Sequence, residues 1–244
     1  RDLAIRLIRF LDRTFPPLFG AIHTKTERKI NIKGISNIYQ TSNPNVDMRI
    51  LFWKVDALQA LINIINEKKM KDLRVVEIGA ANGIVSMMLA EWSKNNYLDF
   101  SGVCVEPNFS NIDFLQQMII KNNYNIKVMP CVINDLDKWT DFEDAGSRGL
   151  VSNAIKNKKK ILQKYSVSID ELMSCIFKPN IIYIDALKNE NYIVNSLINI
   201  GLEKTILLIE FDNGISNELK EKCDKLKLKI DKIDDYHHYA IYNN

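Results

Sequence analysis

Read for the spacing of its apolar positions, the chain changes character near residue 74. Before that point apolar residues recur at helical intervals. Leu3, Ala4, Leu7, Ile8 and Leu11 share one face of an opening segment, Arg1–Phe15, that carries Arg6, Arg9 and Arg13 among its polar positions. Leu51, Val55, Leu58, Leu61, Ile62 and Ile65 do the same over Met48–Asn66. Between them, Thr24–Pro44 is rich in Asn, Ser, Thr and Lys, punctuated by Gly34 and Pro44, and is expected to be an irregular loop. From Arg74 onward, short continuous apolar runs alternate with helical spacing. Strands are expected at 74–79, 100–106, 126–132, 180–185, 205–211, 228–233 and 238–242. Helices are expected at 84–94, 110–122, 192–200 and 217–226.

Strands that are apolar throughout and separated by helices belong to a parallel sheet buried on both faces. The fold class is therefore α/β: a seven-stranded, mostly parallel sheet with helices on both sides and an N-terminal helical extension. The expected organisation is an extension over 1–70 that caps the active site, then a main domain over 71–244 with a polar insertion at about 136–179.

Composition narrows the picture modestly. Hydrophobic residues make up 46% of the chain and charged residues 26%, enough to bury a real core. The net charge of +3 is too small for a nucleic-acid footprint. Cys104, Cys131, Cys175 and Cys223 lie far apart with no Cys-x-x-Cys pair, and the first two sit inside apolar runs. That pattern favours reduced thiols and a cytoplasmic setting over a disulfide framework or a zinc site. No apolar run approaches the roughly 20 residues of a membrane span. The basic opening helix could lie on a membrane surface, although packing against the domain is the plainer reading.

The chemistry-bearing stretch is Glu77-Ile78-Gly79-Ala80-Ala81-Asn82-Gly83, a strand running into a glycine turn and then a helix. Such a turn lets backbone approach a ligand closely at the carboxyl edge of the sheet. Glu106 ends the next strand, where a carboxylate can accept the hydroxyls of a ribose. The spacing Gly79-x-x-x-Gly83 is not the G-x-G-x-x-G that seats a pyrophosphate on a helix N-terminus. Glu77, two residues ahead of the first glycine, would repel a diphosphate but suits a cationic ligand. The competing readings are a surface carboxylate for Glu77 and a helix N-terminal acid for Glu106.

These residues carry a resemblance. E-x-G-A-x-x-G followed by Val-x-Val-Glu106-Pro107-Asn108 resembles the class I S-adenosylmethionine-dependent methyltransferases, and Glu106-Pro107-Asn108 resembles the FkbM group in particular. The likeness implies a Rossmann-like domain that binds S-adenosyl-L-methionine through Glu77, Gly79, Ala80, Ala81, Asn82, Gly83, Glu106 and Pro107, with Asn134 and Asp135 near the adenine. Ser168-Ile169-Asp170-Glu171-Leu172 and Leu208-Ile209-Glu210 match further segments of that group. At the fourth strand the chain departs from it, since Tyr183, Leu187 and Lys188 replace the group's Lys, Glu and Gly. There, Ile184-Asp185-Ala186-Leu187-Lys188 with Asp212-Asn213 resembles the cation-dependent catechol and caffeoyl-CoA O-methyltransferases. That local likeness implies Asp185, Asp212 and Asn213 as ligands of a divalent cation such as Mg²⁺, and Asp185 with Lys188 as the catalytic pair. The plainer readings are a helix N-cap for Asp185 and an Asx turn for Asp212-Asn213. His237-His238 offers at most one inward-facing imidazole, because neighbours on a strand face opposite ways.

The function expected is methyl transfer to a hydroxyl of a sugar, glycan or other small metabolite, the sugar preference coming from the FkbM resemblance alone. A nucleic-acid methyltransferase is disfavoured by the modest charge and by a strand end reading Tyr183-Ile184-Asp185-Ala186 where amino-methylating enzymes carry [D/N]-P-P-[Y/F]. A cofactor-binding module with a decayed catalytic end remains the reading from another class.

Overall fold

The computed structural model describes residues 28–32, 36–40, 48–134, 138–145, 148–151, 161–186, 189–201, 203–211, 214–233 and 237–242, with backbone alone for 28–56, 144–151, 237 and 241–242. The opening segment Arg1–Phe15 lies outside them. Strands β1 (Arg28–Ile32) and β2 (Ser36–Gln40) pair antiparallel, Arg28 opposite Gln40 and Ile32 opposite Ser36. The expectation of an irregular loop is thus corrected: Ile30, Ile32 and Ile38 alternate with polar residues at a period of two, inside a composition that reads as loop. Helix α1 (Met48–Glu67) leads into β3 (Asp72–Ile78), α2 (Ile84–Asn95), β4 (Asp99–Val105), α3 (Phe109–Asn122) and β5 (Ile126–Met129).

The strand expected over 126–132 is two strands. Pro130, which has no amide to donate, ends β5, and the short β6 (Val132–Ile133) joins a different sheet. There follow β7 (Trp139–Ala145), β8 (Arg148–Val151), β9 (Ile161–Val167) and α4 (Ile169–Cys175). The expected polar insertion is therefore a second sheet, of order β6-β9-β7-β8. Helix α4 opens on a capping box, with the Ser168 side chain accepting from the Glu171 amide and the Glu171 side chain accepting from the Ser168 amide.

The chain returns to the main sheet with β10 (Ile181–Ile184), α5 (Glu190–Ile200), β11 (Ile206–Glu210), α6 (Asn217–Lys225), β12 (Leu228–Lys232) and β13 (His237–Tyr242). The main sheet has seven strands in the order β12-β13-β11-β10-β3-β4-β5. Every neighbouring pair from β11 to β5 is parallel, while β13 runs antiparallel to both β11 and β12. Strand order reverses between β3 and β10, which opens a crevice at the carboxyl ends of those strands.

Both faces of the sheet are covered, as continuous apolar strands require. Leu73, Val75, Cys104, Ile181, Tyr183 and Leu208 pack under α1, α2 and α3. The alternate positions, Val76, Ile78, Val105, Ile182, Ile184 and Ile209, pack under α4, α5 and α6. Leu61, Leu89 and Leu115 are fully buried, each contributing on the order of 1.5–3 kcal/mol. All four cysteines are free, and Cys104, Cys131 and Cys223 are buried.

Candidate functional site

The turn after β3 is shaped by what crosses it. Asp185 donates its amide to the Ile78 carbonyl at 2.9 Å, which draws the end of β10 across Gly79. Gly79 has φ +77°, and a Cβ there would stand 2.0 Å from the Asp185 carbonyl oxygen. Only glycine fits. The Gly79 and Ala80 amides both donate to Val105 O at 3.0 Å, so the turn leans on β4. Ala81 is left-handed at φ +48°, a conformation costing a non-glycine residue about 1 kcal/mol. Its amide, turned outward by that conformation, donates to Glu106 Oε2 at 2.7 Å. Gly83, at φ +65°, heads α2 and lies against Leu115 of α3. Ala80, Asn82 and Gly83 are buried within the turn.

Glu106, just past β4, is 5% exposed and sits where the two turns meet. Besides Ala81, it takes the Asn108 amide at 2.8 Å and Asn111 Nδ2 at 3.3 Å. Burial raises its proton affinity above the ordinary carboxyl range; the three donors oppose the shift, and the charge of Asp185 adds to it. The cap of α3 is Asn108, whose side chain accepts from Ser110. Glu106 therefore organises the start of that helix while keeping an edge on the crevice, with Pro107 half-buried beside it.

Glu77 stands behind the turn rather than on its lip. Its position on β3 has the parity of Leu73 and Val75, which places it under α2, fully buried. Oε2 accepts the Ser86 amide at 2.8 Å, and Cys104 Sγ lies 3.8 Å away. Ser86 is the third residue of α2, whose N-cap Gly83 brings no side-chain hydrogen bond. The Glu77 carboxylate fills that role from the neighbouring strand.

On the other side of Gly79, Asp185 is half-buried at the end of β10. Its charge reaches both Glu106 and Tyr183. The N-cap position of α5 belongs to Asn189 and not to Asp185. Asn134 follows β6, donating its amide to Val167 O at 2.9 Å and its Nδ2 to Thr140 Oγ1 at 3.2 Å, at the root of the second sheet. Asp135, Lys188, Asp212 and Asn213 lie outside the described residues. Among the described residues no three His, Cys, Asp or Glu side chains converge as a metal site, and Asp185 is the one described member of the expected cation trio. His238 is half-buried and meets Phe211 edge-on, with ring centroids 6.0 Å apart.

Three features escaped the sequence. Tyr183, fully buried, donates its hydroxyl to Glu210 Oε2 at 2.9 Å. Lys164, 5% exposed on β9, places Nζ 3.6 Å from the ring centroid of Phe109, the first residue of α3. Asn111 joins Glu106. Strand parity pairs Tyr183 with Glu210, but nothing in the spacing foretells that a second sheet brings Lys164 to Phe109.

No family model and no curated protein matches the chain. Solved structures do. A 16S rRNA methyltransferase of T. thermophilus, in complex with AdoMet and guanosine, is similar over 90% of this chain and 50% of its own, at 13% identity and TM-score 0.52. The methyltransferase FkbM of Methylobacillus flagellatus is similar over 70% of this chain and 44% of its own, at 18% identity and TM-score 0.46. An SAH-bound methyltransferase of Podospora anserina is similar over 77% of this chain and 78% of its own, at 12% identity and TM-score 0.46. The chain thus spans about half the length of the first two or less. The first of these likenesses establishes the fold as the Rossmann-like one of that methyltransferase.

Proposed function

We propose that this chain is an S-adenosylmethionine-dependent methyltransferase acting on a hydroxyl of a sugar, glycan or other small metabolite. The observation that carries the reading is the Ala81–Glu106 contact. It sets a buried carboxylate of raised proton affinity at the crevice edge of a glycine turn that no diphosphate motif accompanies. A carboxylate has about four acceptor positions, and three are taken. The Asn111 bond is the longest at 3.3 Å, so a ribose diol can take the open position and displace Asn111. Glu77 serves the cofactor from below by fixing α2 and Gly83, and its charge favours a cation above it. Asn134, with Asp135 next in sequence, borders the adenine end.

S-adenosylmethionine, when bound, supplies an electrophilic methyl group. The chain's contribution is alignment of the acceptor oxygen behind that methyl. Asp185, at the end of β10 beside Gly79, orients the hydroxyl and takes its proton as the new O–CH₃ bond forms and the S–CH₃ electron pair returns to sulfur. Lys188 supplies a positive charge that eases the deprotonation. The β1–β2 pair and the second sheet roof the acceptor side and keep water out.

Calorimetric titration with S-adenosylhomocysteine and with NAD tests the cofactor class. Transfer of labelled methyl to a panel of methyl glycosides, with and without EDTA, tests the reaction and its cation dependence. Binding of NAD in place of the sulfur nucleoside would end the proposal. Binding without turnover would leave a cofactor-binding module.

A further inference from the structure

Beyond the nucleoside, the carboxyl edge of the sheet carries one more polar pair. Glu210 closes β11, where Ile206 through Ile209 are all buried and Glu210 alone is half-exposed. The Tyr183 ring is fully buried one strand away, register-paired to Leu208, and its hydroxyl reaches two residues further to Glu210. The phenol therefore points along the strands toward the crevice edge. Burial and the charges of Glu210, Asp185 and Glu77 hold its proton affinity well above the ordinary range, so it stays a donor. Burying a hydroxyl in a strand that could have carried Phe costs free energy unless a partner repays it. Here the partner is a carboxylate at the mouth of the site. The groups that face the pair are Asp185, just past β10, and Glu77 on β3, while His237 is the register partner of Glu210 on β13.

We infer that Glu210 is a second carboxylate, beside Asp185, that contacts the methyl acceptor, and that Tyr183 is the positioning residue that holds it. The inference rests on the methyl-transfer reading and extends it past the cofactor. Glu106 follows β4 and Glu210 ends β11, three strands apart in the order β4-β3-β10-β11. At strand spacings near 4.8 Å that is about 14 Å. The span accommodates, in series, a ribose bound at Glu106, the sulfonium above Gly79 and an acceptor oxygen short of Glu210. The ligand class is a hydrogen-bond donor, a hydroxyl or an amine, on a group without negative charge.

The test needs no acceptor. An S-adenosylmethionine analogue in which an amine-bearing carbon replaces the methyl-bearing sulfur puts an ammonium where the transferred methyl would stand, facing the acceptor position. Calorimetry compares it with S-adenosylhomocysteine on wild type, Glu210→Gln and Tyr183→Phe. Glu210→Gln is expected to weaken the analogue about tenfold and leave S-adenosylhomocysteine unchanged. Tyr183→Phe is expected to weaken the analogue about threefold, again sparing S-adenosylhomocysteine, which also reports that the variant is folded. Should Tyr183→Phe fail to fold, Glu210→Gln carries the test. Unchanged analogue-to-homocysteine ratios would overturn the assignment, and equal weakening of both ligands in Tyr183→Phe would reduce that residue to core structure. If wild type bound neither nucleoside, the methyl-transfer reading itself would fall and take this inference with it; binding with unchanged ratios removes this inference alone.

Discussion

The carbonyl oxygen of Asp185 passes so close over Gly79 that a Cβ on that glycine would lie 2.0 Å from it. The contact is backbone to backbone, so nothing can swing aside. At Gly83 the nearest atom is Leu115 Cδ1, 2.3 Å from an added Cβ, and a leucine side chain can shift. Both glycines have positive φ, which penalises alanine by about 1 kcal/mol at either site. Gly79→Ala is therefore expected to cost about 3 kcal/mol or more, and Gly83→Ala roughly half that. Urea denaturation of the two variants checks the ranking. Equal losses would mean that β10 does not cross the turn as described.

Glu77 acts as a remote cap for α2. Glu77→Ala leaves the buried Ser86 amide without that acceptor and is expected to destabilise the protein by about 2–3 kcal/mol. Glu77→Gln keeps an acceptor oxygen and loses the charge at the helix start, for about 1 kcal/mol. Hydrogen exchange at the Ser86 amide should rise in the alanine variant first. A Glu77→Ala protein as stable as wild type would show that the cap contributes nothing.

How much of this the sequence disclosed depended on strand parity and polarity. The seven main-sheet strands were legible because burial on both faces makes them apolar without interruption. The β1–β2 hairpin and the second sheet were not, because a strand with one wet face, such as Trp139-Thr140-Asp141-Phe142, spends half its positions on polar residues and reads as loop. The acid two residues before Gly79 is visible in the sequence, and its position under α2 follows from its shared parity with Leu73 and Val75. Glu210 was readable as a strand end. The partner that holds it was not, since a Tyr in an apolar run looks like core.

Glu106 makes nucleoside affinity sensitive to pH in a stated direction. A ribose diol donates to the ionised carboxylate, and burial raises this group's pKa above that of an ordinary glutamate. Affinity is then full above the raised pKa and falls as pH drops through it, at a pH where an unperturbed carboxyl would still be charged. Folding of the ligand-free protein carries the opposite sign: with the folded pKa above the unfolded one, stability from this group is lost as pH rises between them. Calorimetric titration of S-adenosylhomocysteine at stepped pH should show the decline. Glu106→Gln should bind about tenfold more weakly near neutral pH and show a flatter profile. An identical slope in both proteins would remove Glu106 from the ribose site.

Phe109 and Lys164 decide whether the second sheet belongs to the site. Phe109 starts α3 two residues after Pro107 and is 69% exposed, yet one face of its ring is covered by the Lys164 ammonium at 3.6 Å. Lys164 is itself nearly buried on β9, and a desolvated cation–π contact of this kind contributes about 1–2 kcal/mol. The contact fastens the second sheet to the helix whose first turn holds Glu106 through Asn108 and Asn111. Phe109→Ala is expected to lower stability by about 1 kcal/mol and to weaken S-adenosylhomocysteine several-fold, because the Glu106 setting loosens with the helix start. Lys164→Met, which keeps the apolar stem and removes the charge, should reproduce the affinity loss, while Phe109→Trp should preserve it. Loss of stability with unchanged affinity in both variants would make the second sheet a separate layer with no part in holding the nucleoside.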